Sequence, residues 1–121
     1  MTAIRSLDHV VLTVRDLEAT IAFYSRLGMR HAEFGPGRHA LRFGTQKLNL
    51  HVAEHEVEPH AEHPTPGSAD LCFLVDHLDL EELGVEIELG PVEREGAVGP
   101  LRSVYVRDPD GNLVELSTEV E

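Results

Sequence analysis

The sequence predicts an α+β fold built from two tandem β-α-β-β-β modules within one domain. The length of 121 residues fits a single domain. The order of strands and helix that the hydrophobic pattern indicates in the first half recurs in the second half. The opening strands of the two halves, residues 7–14 and 68–75, also align weakly, with His9 over Asp70. A tandem duplication is the simplest explanation of these observations.

The first module, at about residues 4–53, opens with a β-branched, apolar stretch at residues 7–14 that is typical of a strand. Asp16 is expected to cap the following helix and Gly28 to end it. The apolar positions of that helix recur at helical spacing: Leu17, Ile21, Tyr24 and Leu27. Three short strands are predicted to follow, at residues 29–34, 39–43 and 47–52.

The second module, at about residues 68–119, is preceded by residues 54–67, whose composition is that of an exposed acidic linker. The three histidines of this linker match no rigid metal-ligand spacing, which favours a solvated loop. The elements predicted in the second module are a strand at 69–75, a short helix at 79–83, a strand at 85–89, a loop at 90–100, a strand at 101–107, a type I turn at 108–111 and a strand at 112–118.

The charge is unevenly divided between the two halves. The net charge is −12, but residues 1–53 hold seven basic and four acidic residues, whereas residues 54–121 hold three basic and eighteen acidic residues. This acidity disfavours nucleic acid and anionic membranes as partners. We expect basic first modules to lie against acidic second modules, in a head-to-tail arrangement within a homodimer.

The distribution of apolar residues gives a prediction of location. The longest apolar run, residues 71–75, is too short to span a membrane, and no signal-like stretch opens the chain, so we expect a cytoplasmic protein. The single cysteine, Cys72, lies in that run and is expected to be a buried, unreactive thiol.

Strand alternation gives four of the predicted strands an apolar face and, on the reverse, one side chain that can bind a metal. These side chains are His9, His51, Asp70 and Glu115, with His51 placed near Glu115 when the closing strands are aligned by a one-residue adjustment. Two imidazoles and two carboxylates at corresponding places predict one convergent site for a divalent first-row metal. For each residue alone the alternative is a solvated or hydrogen-bonded polar group, and Asp70 also fits a role behind the ligands.

Three motifs along the chain carry a resemblance to a known family. They are Leu7-Asp8-His9-Val10, Phe23-Tyr24 followed by Leu27-Gly28-Met29, and residues 107–116, which read Arg-Asp-Pro-Asp-Gly-Asn-Leu-Val-Glu-Leu. In this order and spacing the chain resembles the vicinal oxygen chelate superfamily, which includes glyoxalase I, extradiol dioxygenases and bleomycin resistance proteins. It looks most like the short bacterial glyoxalase-domain members, some of them called virulence proteins or likened to glyoxalase domain-containing protein 5.

The resemblance implies that eight strands curl into a cup around a divalent metal such as Zn, Ni, Fe, Co or Mn. The ligands it implies are His9, His51, Asp70 and Glu115, with Glu115 also serving as the proton-transferring base. We therefore expect a metal-dependent enzyme acting on a small oxygenated metabolite, first of all a lyase or isomerase of the glyoxalase I type. The alternatives are a non-catalytic drug-binding protein of the bleomycin-resistance type and an extradiol-type dioxygenase.

Alternation within the other predicted strands adds three candidates for substrate binding. Arg42, Ser103 and Tyr105 are expected to share the face of the metal candidates. Arg42 would pair with an anionic substrate, and the alternative is an exposed arginine on a short strand.

Overall fold

The structure, a computed structural model, describes residues 2–121. It contains two compact units, one ending at Pro66 and the other beginning at Gly67. Each unit holds one four-stranded sheet, which confirms the predicted α+β class with two repeated sheets. No helix within residues 2–121 has the length and apolarity that crossing a membrane requires.

The first unit contains the helix of the fold and the first sheet. Its elements are β1 (His9–Val14), α1 (Leu17–Arg26), β2 (Arg30–Glu33), β3 (His39–Phe43) and β4 (Gln46–Val52). The sheet order is β1-β4-β3-β2, with β1 parallel to β4 and the other pairs antiparallel. The predicted helix cap is confirmed, because the Asp16 carboxylate accepts a hydrogen bond of 3.0 Å from the Ala19 amide.

The first sheet has one buried apolar face and one polar face. Leu12, Val14, Leu41, Leu48 and Leu50 are at most 5% exposed and belong to the apolar face, as alternation predicts. The reverse face, called the open face of the first sheet below, carries the side chains of alternate residues such as His9, Asn49 and His51.

The second unit repeats the topology of the first sheet. Its strands are β5 (Asp70–Leu74), β6 (Leu89–Glu95), β7 (Pro100–Arg107) and β8 (Leu113–Glu119). They are ordered β5-β8-β7-β6, with β5 parallel to β8, which is the pattern of the first unit. The predicted turn between β7 and β8 is present, since the Gly111 amide donates to the Asp108 carbonyl at 3.0 Å.

The helix predicted at residues 79–83 is wrong, because this segment is a single turn. The Asp79 side chain accepts from the amides of Glu81 and Glu82, and the Leu83 amide bonds the Asp79 carbonyl at 3.1 Å. Gly84, with φ of 70°, ends the turn at once. Five residues give too few hydrogen bonds to offset the cost of starting a helix.

The strand predicted at residues 85–89 and the loop predicted at 90–100 are also wrong, because β6 occupies Leu89–Glu95. Gly90 and Pro91 fall where the β6–β7 register shifts between Leu89 and Val92. β6 is an edge strand, and a bulge on an edge strand accepts a proline that a central strand would exclude. A Cβ at Gly90 would lie 2.5 Å from the Ser103 carbonyl oxygen, so the close approach of β7 requires glycine there.

An arginine on β7 ties the segment before β6 to the turn before β8. Arg107 donates to both carboxylate oxygens of Glu88 at 3.0 Å and to the Gly111 carbonyl at 3.1 Å. These hydrogen bonds from the guanidinium hold the pKa of Glu88 below its usual value.

We expect Arg107→Gln to raise the pKa of Glu88 towards its ordinary value in a carboxyl NMR titration. The pair adds stability above the pKa that Glu88 has in the unfolded chain, and that contribution is lost as the pH falls through the lower folded value. Arg102→Gln, which removes an exposed charge from the same strand, should leave the pKa of Glu88 unchanged. An ordinary Glu88 pKa in the unmodified protein would contradict this prediction.

Candidate functional site

The pairing of β1 with β4 sets where the candidate ligands of the first unit lie. His9 is level with Lys47, Val11 with Asn49, and Thr13 with His51, all on the open face. His9 and His51 are therefore four residues apart along parallel strands, a separation of about 13 Å. Asn49 lies two residues from the level of His9, so it is closer to His9 than His51 is.

His9 is oriented by the residue that precedes it. Its Nδ1 lies 2.9 Å from the Asp8 carboxylate. When Nδ1–H donates to that carboxylate, Nε2 keeps its lone pair for a ligand, which is the usual arrangement of a metal-binding histidine. The hydrogen bond to His9 lowers the pKa of Asp8, and the charges of Lys47 and Arg42 lower it further.

Asn49 is the residue that the sequence analysis missed. In the second unit Asp70 is level with Leu113 and Cys72 with Glu115, so the equivalent of Glu115 in the first unit is Asn49. The predicted correspondence of His51 with Glu115 is therefore wrong, because the strand register moves it by two residues. Asn49 is 5% exposed, and its Oδ1 is buried without a hydrogen-bond partner. A buried, unpaired amide oxygen is costly unless a ligand satisfies it.

Glu115 lies in a network of hydroxyl groups on the second sheet. Ser103 Oγ donates to Glu115 Oε2 at 2.6 Å, and Ser117 Oγ donates to the same oxygen at 3.3 Å. Ser103 and Ser117 are fully buried, whereas Glu115 is half-buried. Oε2 is thus fixed by the protein, and Oε1 takes part in none of these bonds.

Cys72 belongs to the same face, and its predicted burial is wrong because the thiol is exposed. Alternate residues of edge strand β5 are exposed, and Sγ lies 3.3 Å from Ser117 Oγ. Desolvation, together with the nearby Glu115 carboxylate, raises the pKa of the Cys72 thiol. At neutral pH the group is therefore a protonated thiol, as expected of an unreactive cysteine.

A cavity of about 630 Å³ adjoins this network within the second unit. Cys72 and Glu115 lie on its wall together with Leu101 and Glu119. The hairpin between β6 and β7, from Glu95 to Pro100, completes the lining. The volume is in the range of small-molecule pockets.

The three predicted substrate-binding residues lie on the expected faces. Arg42 is level with Lys47 and shares the open face of the first sheet, while Leu41 is buried on the reverse. Ser103 contacts Glu115 as described. Tyr105 is level with Glu115, and its hydroxyl accepts a 2.9 Å hydrogen bond from Arg94 Nε. Arg94 is a second residue that the sequence analysis did not identify.

His51 lies in a separate cavity of about 400 Å³ within the first unit. The linker contributes Pro59, His60, Ala61 and Pro64 to its wall. Most of residues 54–67 are nevertheless exposed, as the sequence predicted. Burial lowers the pKa of His51, and the positive charges of Arg38 and His60 lower it further. His51 is therefore a neutral imidazole at neutral pH.

The donor atoms of the candidate residues fit a divalent metal in their chemistry. His9 offers one imidazole nitrogen, and Asn49, Asp70 and Glu115 offer oxygen atoms. The unpaired Oδ1 of Asn49 is the structural observation that favours a cation. No group of three or more His, Cys, Asp or Glu side chains is gathered within metal-binding distance in residues 2–121.

Known proteins are similar to this chain in both sequence and structure. A glyoxalase domain-containing protein, RDO1 of Mycosarcoma maydis, is 53% identical over 96% of this chain and 69% of its own length. Virulence protein STM3117 of Salmonella typhimurium is 50% identical over 94% of this chain and 84% of its own length. The crystal structure of that virulence protein superposes with a TM-score of 0.92 at 49% identity, covering 98% of this chain and 100% of that one.

A more distant structure also shares the fold. Lactoylglutathione lyase from Agrobacterium tumefaciens is 25% identical, with a TM-score of 0.69, over 96% of this chain and 95% of that one. The family model for the Glyoxalase/Bleomycin resistance protein/Dioxygenase superfamily matches residues 6–116. The chain therefore belongs to the glyoxalase/bleomycin resistance protein/dioxygenase superfamily.

Proposed function

We propose that the chain is a divalent-metal-dependent enzyme that moves a proton on a small oxygenated metabolite, in the manner of a lyase or isomerase of the glyoxalase type. The observation that carries the proposal is the Glu115 carboxylate. It is half-buried beside a cavity and held through one oxygen by two serine hydroxyls. Such an arrangement suits a general base, which needs a fixed position and an available oxygen. The likeness to a lactoylglutathione lyase supports the choice of reaction class.

The residues proposed to hold the metal are His9, Asn49, Asp70 and Glu115. His51, the other ligand expected from the sequence, is left out because it lies four residues from the level of His9 and faces a separate cavity. Asp8 supports the choice of His9 by fixing its ring. A bound divalent cation would polarise the substrate oxygens and stabilise negative charge that develops on them.

The side chains of the protein have distinct parts in this proposal. Glu115 accepts a proton from the carbon next to the polarised oxygen and returns it to the neighbouring position. Ser103 keeps the carboxylate in place through its 2.6 Å hydrogen bond. Tyr105, held by Arg94, offers a hydroxyl on the same face for a substrate oxygen.

The metal proposal is tested by metal analysis of protein purified without added metal, next to the His9→Ala variant. We expect about one divalent ion per chain in the unmodified protein and a loss of most of it in the variant, because His9 supplies a nitrogen ligand. Arg15→Ala, outside the candidate site, is the control and should retain the ion. Formation or breakdown of lactoylglutathione is then the first activity to measure.

The outcome that contradicts the enzyme proposal is a metal-free protein whose ligand binding is unchanged in His9→Ala. The chain would then fit a small-molecule binding protein of the bleomycin-resistance type, for which the cavity in the second unit has sufficient volume.

Homodimer formation also stays a prediction, and measurement of the molecular size in solution at low and high salt tests it. A monomer at both salt concentrations would contradict it.

A further inference from the structure

Three basic residues of the first sheet lie in one row across its strands. Arg30 on β2 is level with Arg42 on β3, and Arg42 is level with Lys47 on β4. His9 on β1 is level with Lys47 and ends the row. Residues at the same level of neighbouring strands point to the same face, and their strands are about 4.8 Å apart. Arg30, Arg42 and Lys47, called the basic row below, therefore share the open face.

The basic row has little opposing charge. Among residues 2–121, Arg30, Arg42 and Lys47 form no ion pair with a carboxylate. The acidic residue beside the row is Asp8, which precedes His9 in the sequence. Asp8 is already bonded to His9 and is largely exposed. Three cations against one carboxylate leave a local excess of about two positive charges. Like charges on facing positions of neighbouring strands are destabilising, so the row is costly without an anion.

Arg38 is a fourth cation close to the basic row, because it and Lys47 contact the same aromatic ring. Lys47 Nζ lies 4.0 Å from the centroid of the Phe34 ring, and the Arg38 guanidinium lies 4.6 Å from the same centroid. Each cation is attracted to the π electrons of the ring, but the two cations repel each other. Arg38 also forms no ion pair among the described residues. The half-buried Lys47 is thus held in place by contacts other than an opposite charge.

We propose that the basic row is a binding site for a small dianionic oxyanion, such as a phosphoryl group or a dicarboxylate. Arginine provides paired N–H donors that match carboxylate and phosphate oxygens, and Arg30 and Arg42 stand side by side. With Arg38 included, the local excess is about three positive charges, which favours a ligand with two negative charges over a ligand with one. An isolated cation row of this length is too short, and the chain too acidic, for a nucleic acid backbone.

The position of the row connects the anion to the proposed function. Lys47 precedes Asn49 by two residues on the same face of β4, and it is level with His9. The identification of the oxyanion as part of the substrate rests on the proposed function, but the binding of the oxyanion does not. The substrate class that follows is a small oxygenated metabolite carrying a phosphoryl group or two carboxylates.

The experiment is calorimetric titration of the chelator-treated protein with inorganic phosphate, with succinate and with acetate at low salt. We expect saturable binding of phosphate or succinate, and binding of acetate at least tenfold weaker because acetate carries a single charge. Phosphate and succinate distinguish a phosphoryl ligand from a dicarboxylate. In Arg42→Gln the affinity should fall roughly tenfold or more, since one charged donor is lost. Raising the salt should weaken binding in the unmodified protein.

Arg102→Gln is the matched control, because it removes one exposed arginine from a strand outside the row. Its affinity should stay within about twofold of the unmodified protein. Equal losses in Arg42→Gln and Arg102→Gln, or no binding of either dianion to the unmodified protein, would overturn the proposal. A change of oligomeric state in Arg42→Gln without anion binding would instead make the row a contact between copies of the chain and would also overturn it.

Metal content separates this proposal from the proposed function. Arg42→Gln should bind as much metal as the unmodified protein, because Arg42 is not a metal ligand. If the protein binds the dianion but no metal, the anion site is supported and the proposed enzyme is contradicted. If the protein binds metal but no dianion, the proposed enzyme stands and the anion site is contradicted.

Discussion

Glu115→Gln is expected to lower the rate of the proposed reaction by about 100-fold to 10,000-fold, the range that a general base contributes. Glutamine has the size of glutamate, and its amide oxygen can still accept the Ser103 hydroxyl that now lies 2.6 Å from Oε2. The fold should therefore be kept, while the negative charge and the ability to take up a proton are lost. The rate is measured with saturating substrate and with the metal content of each protein determined in the same preparation.

Glu119→Gln is the control for this experiment. Glu119 lies on the same strand and lines the same cavity, but it forms no hydrogen bond with Ser103. Its replacement removes the same charge from the cavity wall, and the rate should stay within about twofold. A Glu115→Gln protein that keeps both its metal and its full rate would show that Glu115 is not the base.

The second large effect is expected on stability, from Asn112→Ala. Asn112 is 2% exposed, and it connects the turn before β8 to the start of β5. Its Nδ2 donates to the buried Asp108 carboxylate at 2.7 Å, and its Oδ1 accepts from the Ala69 amide at 2.8 Å. Alanine would leave a carboxylate oxygen and an amide without these partners, at a cost of about 3 kcal/mol. Thermal unfolding should show a fall in Tm of roughly 10 °C.

Asp79→Ala is the control, since it also removes hydrogen bonds between a side chain and the backbone. The Asp79 bonds to the amides of Glu81 and Glu82 are exposed, so water replaces them. The expected loss is below about 1 kcal/mol. Similar losses in the two variants would indicate that burial of the Asn112 bonds is not what makes them important.

Most of the fold was predictable because its signals are local. The alternation of apolar and polar residues fixed the faces of β1, β4, β7 and β8, and Asp16 with the helical spacing of apolar residues fixed α1. The error at β6 has a non-local cause. Gly90 and Pro91 normally interrupt a strand, and they are accommodated only because β6 lies at the edge of the sheet and carries a bulge.

The candidate site was less predictable than the fold. Alternation identified the face of Glu115, but the equivalent residue in the first unit depends on which residue of β4 lies beside β1. That register is set by pairing between strands far apart in sequence, and a shift of two residues keeps every side chain on its face. The sequence therefore left His51 and Asn49 equally compatible with the pattern. The contacts of Ser103 with Glu115 and of Arg94 with Tyr105 likewise arise from pairing across strands.

The equivalence of Asn49 and Glu115 has a consequence for stereochemistry. An amide does not take up a proton at any pH near neutrality, whereas a carboxylate does. Of these two equivalent positions of the repeated sheets, Glu115 alone is able to exchange a proton. A substrate bound in the cavity beside Glu115 would then lose or gain its proton only on the face turned towards this carboxylate. The product of the proposed reaction would have a single handedness, and a deuterium label from solvent would enter one prochiral position.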